Sequence, residues 1–105
     1  MDTKRIVMSI EERGPMIAIN EGRKYFSIYC KEIEWDKKNV FVLPKHIKRI
    51  GPSFFTSFFE KYTKKNSTNS LSWPEINNMF DFVSEEPENN KIHEQFVFYI
   101  RSCEN

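Results

Sequence analysis

Two periodicities of apolar residues alternate along this chain. Arg5 to Ile10 reads as a first strand, Glu11 to Gly14 as a turn and Pro15 to Ile19 as a resumed extended segment, so together they predict a β-hairpin. Pro15 suits the start of its strand, where a missing N–H is tolerated. Asn20 fits an N-cap. From there Phe26, Tyr29, Cys30 and Ile33 fall at i, i+3, i+4 and i+7 with charges between them, which predicts an amphipathic helix ending near Trp35-Asp36. Val40 to Leu43 is a short apolar run of the kind that forms a buried strand.

The segment from Asn39 to Tyr62 is the most informative. After the strand comes a short basic connection, then a helix that opens at Gly51-Pro52-Ser53. Phe54, Phe55, Phe58, Phe59 and Tyr62 would form its apolar face. Thr63 to Ser70 is polar and reads as a loop or a short solvent-facing edge. Ser72-Trp73-Pro74-Glu75 has the form of a capping box, with Pro74 tolerated in the first turn. Ile76, Met79, Phe80 and Val83 continue it as a third helix, which Glu85 to Asn90 ends. Phe96 to Ile100 suits a strand by composition, but Ile92, Phe96, Tyr99 and Cys103 are spaced as a helix, and the helix is preferred. Strand, helix, strand, helix is the order of an α/β layer with at least one right-handed crossover.

Composition bounds this picture. The 105 residues suffice for one domain, and ten phenylalanines can fill its core. The net charge of +1 points to neither nucleic acid nor an acidic solvating role. Charge is uneven, with 14 basic against 8 acidic residues over 1–65 and 2 against 7 over 66–105. No apolar run approaches the ~18 residues of a membrane span, and the N-terminus lacks the apolar stretch of a signal peptide. Cys30 and Cys103 read as reduced thiols rather than a disulfide frame. A cytoplasmic domain is expected, with neither nucleic acid nor membrane as partner.

Candidate chemistry is sparse. His46 and His93 are far apart, neither cysteine has a CxxC or HxxxH partner, and no metal or cofactor is expected. His46, beside Lys45 and Lys48, reads as an exposed loop residue. With three glycines and no phosphate-cradling or nucleophile-elbow pattern, the expectation is a chain that is not an enzyme. Lys45, Lys48 and Arg49 stand just before the helix start and would attract an acidic partner or a phosphate. Ser53 reads as a capping hydroxyl, with a phospho-acceptor or docking residue as the functional alternative. Ser57, one turn on, reads as a structural residue on the polar side. If the phenylalanines of 54–59 exceed what one core can hide, the surplus would mark a homodimer or docking face.

Glu21-Gly-Arg-Lys-Tyr-Phe26, Lys38-Asn-Val-Phe-Val-Leu43 and Ile47-Lys-Arg-Ile-Gly-Pro-Ser-Phe-Phe-Thr-Ser-Phe-Phe59 resemble the STAS-like bacterial domain of unknown function. The resemblance covers residues 20–65 and extends to the capped helix at 72–84. It implies a small α/β sandwich, a mixed sheet of about four strands with three to four helices, related to anti-sigma-factor antagonists. Those proteins bind a serine-kinase-type ATPase and are switched by phosphorylation at the turn where Ser53 stands. Gly51-Pro52 replaces the acidic residue usual before their switch serine, and Leu43-Pro44 replaces the strand-end Asp. The resemblance implies a regulatory module that docks its partner through residues 45–57. The alternative is a small inhibitor or immunity-type protein that blocks an enzyme or toxin.

Overall fold

A computed structural model describes residues 2–64 and 70–104. They form an α/β fold in the order β1 (Thr3–Val7), α1 (Ile19–Tyr29) with a 3-10 turn (Cys30–Glu32), β2 (Lys38–Leu43), α2 (Pro52–Phe58), α3 (Glu60–Thr63), α4 (Trp73–Met79), β3 (Phe80–Ser84) and α5 (Lys91–Cys103). The sheet has the order β1-β2-β3 and every pair is parallel.

The expected hairpin does not form. Thr3–Val7 pairs in parallel with β2, and Pro15 to Ile19 contributes one parallel bridge, Met16 to Ile50, before Ile19 opens α1. Both segments have strand-like patterns, but strand patterning does not name the partner. The mixed four-strand sheet is accordingly replaced, among the described residues, by three parallel strands. The third strand comes from a stretch assigned to helix. Phe80 turns to φ −135°, ψ 152°, and Phe80–Ser84 pairs with Asn39–Leu43. Phe80 and Phe82 alternate inward with Asp81 between them, a period of two that the helical spacing of Ile76, Met79, Phe80 and Val83 had masked. The C-terminal segment is the preferred helix. The loop reading of 63–70 lies largely outside the described residues.

Two helix starts are fixed by side chains close in sequence, those of α4 and α1. Ser72 Oγ accepts from Glu75 N–H and Glu75 Oε1 accepts from Ser72 N–H, the reciprocal box read from the sequence. Asn20 and Ser53 do not cap. α1 begins after Ala18, whose N–H donates to Glu21 Oε1 at 2.9 Å, and α2 begins after Gly51 with Pro52 in its first turn.

The core is aromatic and lies between the sheet and the helices. Phe58 sits at its centre, with ring centroids 5.0 Å from Phe41, 5.1 Å from Phe59, 5.2 Å from Phe82 and 5.5 Å from Phe26. Phe96 of α5 closes on Phe82 at 5.3 Å. Phe54, Phe55, Phe58, Phe59 and Tyr62 are all buried, so no surplus of that stripe forms a dimer face. Asn39 is also buried. It is satisfied, donating to Glu34 O and Lys37 O and accepting from Glu34 N–H, which fixes the turn into β2. No helix among the described residues is long and apolar enough to cross a membrane.

Candidate protein-binding groove

The basic connection after β2 is tied down on two sides. Met16 N–H donates to Arg49 O at 3.0 Å and Gly51 N–H donates to Met16 O at 2.9 Å, so residues 15–17 lie alongside 49–51. Ile50 N–H donates to Gln95 Oε1 at 2.7 Å and joins this pair of segments to α5. Gly51 permits the approach, since a Cβ there would stand 3.0 Å from Ile17 Cγ2.

Between the three elements runs a groove of about 740 Å³, within the range of ordinary binding clefts. Its walls are mainly apolar, with Pro15, Ile17 and Pro52 from the two paired segments and Phe98 and Tyr99 from α5. Ile17 is 58% exposed and Phe98 76% exposed, although both are large and apolar. Arg49, Lys91 and Glu94 charge the rim. The Tyr99 hydroxyl lies 2.7 Å from Thr56 Oγ1, and burial pushes its pKa upward, so it serves as a neutral hydrogen-bonding group.

The structure disperses the residues singled out from sequence. Arg49 lines the groove. Lys48 leaves it to pair with Glu86 at 3.1 Å, and Lys45 is exposed. Ser53 is exposed in the first turn of α2, a helix of only seven residues. Ser57 is not on the polar side. It is 3% exposed and donates to Ser53 O and Phe54 O, because Gly22 of α1 crosses directly over it. His46 is not an open loop residue either. It is half-buried, and its Nε2 is shielded with no hydrogen-bond partner among the described residues.

Phe98, Ile17 and Gln95 were missed. Phe98 had a legible signal: it stands off the Ile92, Phe96, Tyr99 stripe, so a helix that buries the stripe must expose it. Ile17 had none, since its neighbourhood depends on the bridge to Ile50. Among the described residues no group of three or more His, Cys, Asp or Glu side chains could hold a metal ion. What the groove can do chemically is receive an apolar side chain and orient a charged one.

No family model, curated protein or solved structure matches the chain, and the reading of the groove therefore rests on its own geometry.

Proposed function

We propose that this chain is a non-catalytic, regulatory protein-binding module, and that the groove between residues 15–17, residues 49–52 and α5 receives an apolar anchor from its partner. The observation that carries this reading is the exposed Phe98 and Ile17 facing a cleft of ligand size. Exposed aromatic side chains on a rigid helix are the usual anchors of protein recognition. The docking place adjoins the turn at 45–57 that the STAS-like resemblance marks. Ser53, next to Pro52 and open to solvent, is accessible to a modifying enzyme. A phosphate there would place about two negative charges at the groove's edge and repel an acidic partner surface.

The test is a photo-crosslinking residue at Phe98, with the same residue at Lys31 as a control on a distant helix end. A single protein captured from Phe98, absent from Lys31, and lost when Ile17→Asp is added supports the groove. An ATPase or kinase as the captured protein favours the regulatory reading, and an enzyme or toxin favours the inhibitor. Equal capture from both positions refutes the site. Partner binding unchanged in Ser53→Asp refutes the switch and leaves the groove standing.

A further inference from the structure

The outward ridge of α5 carries Lys91, Glu94, Arg101 and, just past the helix end, Glu104, an order of charges that read backwards is its own complement. Lys91, Glu94, Phe98 and Arg101 follow one another at three or four residues, so they share one helix face, and all are exposed. Phe98 stands at the middle of this ridge with a cleft on either side. One is the groove shared with Ile17 and Pro52, and the other is lined by His93, Val97 and Arg101. The inner side of α5 is already engaged, since Ile92, Phe96, Tyr99 and Ile100 are buried. Among the described residues nothing covers the Phe98 ring, which is 76% exposed.

We propose that a second copy of this chain covers this ridge, the two α5 helices lying antiparallel across a two-fold axis between Val97 and Phe98. The proposal rests on the groove reading in one respect: the anchor that enters the groove is Phe98 of the other copy. An antiparallel pair centred there sets Glu94 against Arg101 and Lys91 against Glu104, and the symmetry makes each contact twice. Arg101 has donors for the facing carboxylate beside the interaction it makes within its own chain. The two Phe98 rings meet at the axis in an aromatic pair, and each reaches the Ile17 and Pro52 lip of the other copy's groove. The charges exclude the neighbouring arrangements. A parallel pair sets each charge beside its own copy. Sliding the antiparallel pair by about one turn sets Lys91 against Arg101 in one direction and Glu94 against Glu104 in the other. Exposed pairs of this kind add little affinity and instead fix orientation and register. Each copy contributes one helix about 20 Å long and a groove lip. That is below a standard interface, so the expected dimer is weak, with Kd of roughly 10 µM to 1 mM. In it the groove is covered, and any other partner must displace the copy.

Sedimentation over a concentration series spanning that range tests the proposal, with every substitution at an exposed position. The wild type associates reversibly to a dimer and no further. Glu94→Arg and Arg101→Glu are each monomeric, because the facing contacts then pair like charges, yet an equimolar mixture of the two regains the dimer. Ile17→Asp, which lies off α5, weakens association by about tenfold or more, and so does Phe98→Asp. A wild type that stays monomeric throughout overturns the proposal. So does a dimer that survives Glu94→Arg or Ile17→Asp, or a mixture of folded variants that stays monomeric. If circular dichroism shows Arg101→Glu unfolded, Lys91→Glu mixed with Glu104→Lys makes the equivalent exchange and decides. The two readings of the groove fail separately. A monomeric wild type that still captures another protein from Phe98 sinks the dimer alone, and a dimer from which no other protein is captured sinks only the outside partner.

Discussion

Gly22→Ala isolates the crossing of α1 over α2. Mid-helix, that substitution ordinarily stabilises by about 1 kcal/mol, because alanine loses less backbone entropy on folding. Here the added Cβ would stand 1.9 Å from Ser57 Oγ, 2.4 Å from Phe54 O and 3.0 Å from Phe58 N. Ordinary contact begins near 3.4 Å. The Ser57 hydroxyl can rotate away, but the Phe54 carbonyl is helix backbone and cannot. The helices must part by about 1 Å, and overpacking of that kind costs about 1–3 kcal/mol, here at the upper end because it loosens the Phe26–Phe58 contact beneath. Setting the propensity gain against it leaves a net loss of about 2 kcal/mol, or roughly 10 °C in Tm for a domain of this size. Urea and thermal unfolding followed by circular dichroism measure it. Gly14→Ala, where nothing lies within 4 Å, serves as the control and should be neutral or slightly stabilising. Adding Ser57→Ala to Gly22→Ala removes the nearest clash but not the carbonyl one, so stability should return only in part. Gly22→Ala as stable as the wild type would refute the close crossing.

Three further outcomes are expected. Phe58→Ala, which empties the centre of the ring cluster, should cost about 3–5 kcal/mol and leave the chain close to unfolded, as read by near-ultraviolet dichroism and denaturant midpoint. Ser72→Ala should cost about 1 kcal/mol, because it uncaps α4 just before β3, and amide exchange at Glu75 should rise. Burial pushes Tyr62 up to about 12 and Tyr99 upward as well. A group whose folded pKa lies above its unfolded value stabilises fully below that unfolded value, here 10.0, so stability should hold to about pH 10 and fall as pH rises toward 12. Tyrosinate absorbance rising in step with unfolding checks this, and a fall confined to lower pH would contradict it.

The local elements were legible in the sequence because their causes are local. Helical spacing buried Phe54, Phe55, Phe58, Phe59 and Tyr62, Phe26 and Tyr29, and Ile92, Phe96 and Tyr99 as read, although α1 ends at Tyr29 and Ile33 beyond it is extended. The Ser72–Glu75 box formed for the same reason, since both partners lie within one turn. α/β alternation follows from that string of elements. Tertiary structure alone decided which strands pair and in what direction, for a strand's hydrogen bonds are made to residues distant in the chain. It sent Thr3–Val7 to β2 rather than to Pro15–Ile19, and it drew Phe80–Ser84 out of a helical pattern because β2 offered a ladder and an aromatic layer. It also decided the site: Ser57 is buried because Gly22 crosses it, and Ile17 reaches Phe98's groove because Met16 bridges to Ile50. Periodicity sets what a segment can become, and the partner it meets sets what it does.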